Sequence, residues 1–191
     1  MRQFTKLLVM LVAFFLAVGI ISCGSPSSPD VTSGTENNTL TFRENKNAVV
    51  AGDIAVSSDG GTTLKYVPAD SWNESTYTDY TVIGVCVDTS FMINLVNEKM
   101  TWNAADEKYP DTDGWDLPRV VQLRAVSDAL TALNTTLTRI TGANTLLGKY
   151  YWTSQTDNDT RVWRVDLDNG KVNSLYYKTD ISNVRVVRAL D

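Results

Sequence analysis

The chain has 191 residues, with 17 basic against 22 acidic residues and a net charge of −5. That balance makes it a poor partner for nucleic acid, since phosphate contacts draw on clustered Lys and Arg. It contains no histidine, which removes Ser-His-Asp and Cys-His nucleophile activation and the commonest zinc ligand.

Residues 1–22 read as a secretion signal. Arg2 and Lys6 give the positive start, and Leu7 to Ile21 is an uncharged apolar run. At about 15 residues it falls short of the roughly 20 that a membrane-spanning helix needs. The run ends in "IISCGS", which resembles a bacterial lipobox, with cleavage before Cys23 and lipid attached to its sulfur. The alternative is an ordinary signal peptide with a chance cysteine. Lipidation would leave 15 of the 17 basic residues against 22 acidic ones, a net charge of −7. Acyl chains contribute about 0.8 kcal/mol per buried methylene, so they anchor a domain without spanning the bilayer. The expected location is the cell envelope, lipid-anchored to the outer membrane on its periplasmic face or at the cell surface.

Residues 23–39 form a lipidated tether. Its sequence from Gly24, "GSPSSPDVTSGTENNT", has almost nothing to bury and predicts disorder. At roughly 3.3 Å per residue it reaches about 50 Å when extended. Residues 40–191 suit one domain. Strands are predicted at 49–57, 62–67, 80–88 and 90–96, with Asp59 to Gly61 as the first turn. A short helix is predicted over 101–109, N-capped by Thr101. Cys86 lies in the apolar run "VIGVCVD". With Cys23 lipidated it has no disulfide partner, and it reads as a small buried hydrophobe rather than a reactive thiol.

A long helix is predicted from Pro118 to Ile140. Leu123, Val126, Leu130, Leu133, Leu137 and Ile140 recur at spacings of three and four and so share one stripe. Pro118 suits a first turn, and Gly142 with Asn144 supplies the stop. Strands return at 149–154, 161–167, 171–177 and 183–190, with "DNG" at 168–170 as a hairpin turn. In "RVWRVDL", alternation puts Trp163, Val165 and Leu167 on one face. Strands, then helices, then strands predict an α+β domain with a mainly antiparallel sheet, one long helix and one short helix.

The segments "MTWNAADEK", "GWDLPRVVQL", "YYWTSQT", "VDLDNGKV" and "NVRVVRAL", in that order, resemble the domain at the C-terminus of the Legionella collagen-like protein. Relatives of that domain include the Fibrobacter major paralogous domains and many lipoproteins of gut bacteria. "AGDIAVSSDGGTTLKY" is similar to the opening of the lipoprotein members, so the likeness spans nearly all of 49–190. It implies a C-type-lectin-like fold without a uniform activity, and some relatives are implied to bind sulfated polysaccharides. The negative charge of this chain speaks against that ligand. The related sulfatase-modifying enzymes work through cysteines, and Cys86 alone does not carry that activity over. Where the family has Thr and Glu at the helix start, this chain has Arg119 and Gln122. Arg119 cannot accept a capping hydrogen bond, which leaves Asp116 or water as the cap.

No cofactor is implied. The carboxylates of "DTDGWD" and "DNDT" lack EF-hand spacing and read as turns rather than calcium ligands, so no metal is expected. No carboxylate pair stands out for glycoside hydrolysis. Trp102, Trp115 and Trp152 read as core, although a sugar-stacking tryptophan would look the same in sequence. Arg185 and Arg188, three apart on a strand, face opposite sides, one pairing with an internal carboxylate and the other exposed. The expected role is non-catalytic binding or adhesion to a glycan or surface polymer. The ligand would sit on the loop Gln155 to Thr160, at Asp157, Asp159 and nearby Trp163. The alternative is an accessory or tip subunit of a surface fibre, partnered by another surface protein.

Overall fold

The computed structural model describes residues 39–110 and 113–190. The signal peptide, Cys23 and all of the tether except Thr39 lie outside the described residues. The rest belongs to one unit, Asn38–Asp191. Among the described residues no helix is long and apolar enough to cross a membrane.

The architecture is α+β. Ten strands run β1 (Ile54–Ser57), β2 (Lys65–Val67), β3 (Thr81–Cys86), β4 (Phe91–Ile93), β5 (Glu98–Thr101), β6 (Tyr150–Thr156), β7 (Arg161–Asp166), β8 (Lys171–Tyr177), β9 (Ile181–Val184) and β10 (Val187–Ala189). Among the described residues three α-helices, α1 (Trp102–Lys108), α2 (Val120–Asp128) and α3 (Leu130–Leu137), lie between β5 and β6 in sequence. The single sheet expected from sequence is two five-stranded sheets. The first has the order β10-β4-β3-β1-β2 and the second β5-β9-β6-β7-β8. All pairings are antiparallel except β6 with β9.

The predicted long helix is two helices. Its stripe is correct: Leu123, Val126, Leu133, Leu137 and Ile140 are buried in one cluster, and Leu130 packs against it. The break is at Ala129 (φ −94°, ψ 4°). The two halves serve different partners. α2 packs on β6 and β7, and Ser127 Oγ donates to Leu167 O at 2.8 Å. α3 packs on β3, and Thr136 Oγ1 donates to Gly52 O at 2.8 Å. The threonines after the break are weak helix formers, and Thr135 Oγ1 bonds back to Thr131 O at 2.8 Å, a contact that bends helices.

The start of α2 also differs from the expectation. Arg119 is the N-cap, and its N–H donates to Gln122 Oε1 at 2.8 Å, while Val120 N–H donates to Gln155 Oε1 at 2.8 Å. Two glutamines therefore satisfy the orphan amides. Asp116 Oδ1 accepts instead from Leu117 N–H at 2.6 Å. At α1 the predicted cap holds, with Thr101 Oγ1 accepting from Ala104 N–H at 3.3 Å.

The predicted strand 183–190 also divides. Residues 181–184 enter the second sheet and 187–189 the first, so Arg185 and Val186 bridge the two. β5 carries only Met100 as an apolar residue, too little patterning to be read from sequence. Cys86 is fully buried, and burial pushes its thiol up, as its hydrophobic reading requires. Gly84 is demanded by packing: a Cβ there would meet Ile93 O at 2.5 Å.

Candidate functional site

Two of the three tryptophans are core and the third is not. Trp152 is fully buried and donates from Nε1 to Met100 O at 3.0 Å. Trp102 is nearly buried and donates to Thr153 O at 2.8 Å. The two indoles thus bind β5 and α1 to β6. Burying such rings contributes roughly 1.5–3 kcal/mol each, and their N–H groups are satisfied. Trp115 departs from the core reading. It is half-buried, packs against the edges of two apolar clusters and lines open concavities on either side.

The larger concavity has a volume of about 570 Å³, within the range of small-ligand sites. Three separate pieces of chain build it. The β1–β2 turn supplies Gly60, Gly61 and Thr62, β3 supplies Val82 and Ile83, and Asp113, Trp115 and Arg188 complete it. The turn is fixed by its own side chains. Ser57 Oγ accepts from Gly61 N–H at 2.9 Å and donates to Asp59 Oδ1 at 2.6 Å, and Asp59 Oδ1 also accepts from Thr63 N–H at 2.9 Å. The Ser57 hydroxyl and the Thr63 amide hold the Asp59 carboxyl down to about 2. Gly61 and Gly114 are both in the left-handed region, at φ +94° and +73°. Both leave room for Arg188, since a Cβ at Gly61 would lie 3.3 Å from Nη1 and one at Gly114 3.4 Å from Nε. Arg188 Nη2 donates to Gly61 O at 3.0 Å. A half-exposed indole, a tethered guanidinium and the Asp113 carboxylate thus surround one hollow. Such a set offers an apolar platform with polar groups at its rim.

The residues expected from sequence to hold a ligand are placed elsewhere. Asp157 and Asp159 are exposed on the β6–β7 hairpin, and Trp163 is half-buried on β7. Asn158 organises that hairpin, its Oδ1 accepting from Thr160 N–H at 3.0 Å and Arg161 N–H at 2.9 Å. None of the three lines the concavities described. Trp163 also does not share the burial of Val165 and Leu167. The register of β7 shifts between Val162 and Arg164, and Val162 and Arg164 turn inward instead. Among the described residues no group of three or more Asp, Glu or Cys side chains is placed to hold a metal ion.

Arg185 and Arg188 do lie in different settings, with a correction. Arg185 is fully buried, but its partners are carbonyls rather than a carboxylate: Nη1 donates to Asn94 O at 2.8 Å and Nη2 to Asn144 O at 2.6 Å. Desolvation pushes Arg185 down to about 10, which leaves it charged at neutral pH. Sequence reasoning weighed Arg188 only as a structural residue. Its meeting with Trp115 depends on β10 joining the first sheet, which no local pattern announces. No family model matches this chain, and no curated protein matches it.

Proposed function

We propose that this chain is a lipid-anchored protein of the bacterial cell envelope whose C-type-lectin-like domain binds a glycan without catalysis. The lipobox-like Cys23 supports the anchor, and the order of sequence motifs supports the fold. The observation that carries the binding role is the Trp115 concavity. Sugars present apolar C–H faces that stack on indoles and hydroxyls that pair with polar rims, and Trp115 with Asp113 and Arg188 offers both. The site lies in the first sheet rather than on the β6–β7 hairpin.

The test is a glycan array probed with the purified protein and with two variants, W115A and D113A. Selective retention by the native protein should fall about tenfold or more in W115A, as for a central aromatic anchor. Asp113 is exposed, so D113A isolates a rim contact at little risk to folding. Retention unchanged in both variants would remove this site from the reading.

One observation favours a role in surface assembly as the second reading. β8 is the last strand of its sheet, and Leu175 on it is 67% exposed. An unpaired edge of this kind accepts a strand from a partner protein. Cross-linking in cell envelopes that captures a stoichiometric protein partner at Leu175 would favour it over glycan binding.

A further inference from the structure

The borders of the two sheets are not finished alike. In the first sheet, chain covers both. Arg43 N–H donates to Tyr66 O at 2.8 Å, which places Arg43 against β2. Asp116 and Val187 exchange two main-chain bonds, at 3.0 and 2.9 Å, across the border of β10. In the second sheet β8 is a border, and among the described residues no strand pairs with its outer side. It displays Leu175 and Tyr177, 67% and 48% exposed. A strand of that kind is a template for a further strand.

The outer donors of β8 are nevertheless taken. In an antiparallel border strand about half of the amides, alternate ones, face away from the neighbour. Lys171 N–H donates to Asn169 Oδ1 at 3.0 Å, Leu175 N–H to Asn173 Oδ1 at 2.8 Å and Tyr177 N–H to Asp180 Oδ2 at 2.8 Å. Three of the seven amides of the strand therefore end on side chains, close to the full outward set. Tyr177 is closed at both of its main-chain groups, because its carbonyl accepts from Asp180 N–H at 2.9 Å.

The strand is also irregular here. Val162 faces Tyr176 and Arg164 faces Asn173, so Ser174 and Leu175 stand opposite Trp163 alone. Such a bulge leaves the extra residue unpaired and twists the border away from a straight neighbour. Lys171 adds an exposed charge at one end. Satisfying the bulge accounts for Asn173. It does not account for Asp180, which lies between β8 and β9 and reaches back to the strand.

We infer that Asn173 and Asp180, with Asn169 at the far end, guard β8 against edge-to-edge pairing with a second copy of this chain. A chain anchored to a surface as proposed above meets its own copies most, because shared anchorage raises their effective concentration. The guard does not depend on the partner strand of the assembly reading. Any such strand must displace these side chains before it can join β8.

Sedimentation equilibrium of the full-length protein in density-matched detergent tests the guard. The native protein should stay monomeric, and N173A/D180A should self-associate at least about tenfold more tightly. N173D/D180N exchanges the two side-chain types, keeps both acceptors and the net charge, and should behave as the native protein does. Adding L175K to N173A/D180A should return it to monomer, which ties the association to this border. Amide hydrogen exchange on the native protein needs no variant: Leu175 and Tyr177 should exchange at least about tenfold more slowly than in an unstructured chain. A folded N173A/D180A no more associated than the native protein, or N173D/D180N that associates like the alanine variant, would overturn the inference. So would association that survives L175K, or Leu175 and Tyr177 amides that exchange at the unstructured rate. The purified protein carries no envelope partner, so these outcomes are independent of cross-linking at Leu175 in envelopes.

Discussion

Arg185 and Arg164 are both buried arginines that join neither ion pair among the described residues, Arg43–Asp53 and Lys108–Glu98, yet their surroundings differ in kind. Arg185 is enclosed, and backbone carbonyls accept from both of its terminal nitrogens, while its Nε, like that of Arg164, has no acceptor. Asn94 O lies on the chain between β4 and β5 and Asn144 O on the chain between α3 and β6, so one guanidinium ties two loops to the crossing between the sheets. Arg164 borders a hollow in the second sheet, lined also by Lys99, and the protein gives it the Ser182 hydroxyl, three ring faces and the more distant charge of Asp180. A buried cation whose two terminal nitrogens are both held by backbone carbonyls is a staple. Arg164 is held by one hydroxyl and by ring faces, so its terminal nitrogens tie no loops together.

Substitution by methionine, which keeps much of the volume and removes the charge, should separate the two most sharply. Arg185→Met strands two carbonyls that accept charge-assisted bonds worth about 1.5–3 kcal/mol each, offset by relief of the buried charge, and should cost about 3 kcal/mol in urea unfolding. Arg185→Lys should recover less than half of that, because one ammonium cannot span both carbonyls. Arg164→Met should change stability by no more than about 1 kcal/mol in either direction, since it removes a poorly compensated charge. If Arg164→Met destabilises as much as Arg185→Met, the contrast between the carbonyl-held staple and the ring-held arginine fails.

The smallest expected effect concerns pH. Arg185, even at about 10, stays charged across the neutral range and gives no pH dependence there. Acid sensitivity arises from Asp59, which is held from its ordinary 3.8 down to about 2 by Ser57 and Thr63. A carboxyl depressed on folding contributes stability that is full above 3.8 and is lost as pH falls toward about 2. Unfolding midpoints followed down through that window should fall in the native protein, and less so in D59N. An identical acid limb in both proteins would remove Asp59 as its source.

What could be read from the sequence was local. The stripe from Leu123 to Ile140 predicted the buried helical face, because helix burial follows a short period along the chain. It missed the break at Ala129, since both halves keep the same stripe while packing on different sheets. Thr101 was a legible cap because capping is a contact over three residues. Gln155 over Val120 was not, at a separation of 35 residues. The same limit hid both hollows. Trp115 and Arg188 meet only because β10 joins the first sheet, and Arg164 meets Lys99 only because β9 lies between β5 and β6. Arg164 gave no signal, because alternation with Trp163, Val165 and Leu167 puts it on the polar face, and only the register shift of β7 turns it inward.

The placement of the two final strands bears on how the chain can mature. β9 is all that joins β5 to β6, and β10 forms the border of the other sheet next to β4. A nascent polypeptide lacking the segment after Asp180 therefore has neither layer closed, whatever its earlier parts have done. Residues 181–189 must be synthesised before this domain can become native. The order in which the chain is made thus sets when both layers can close.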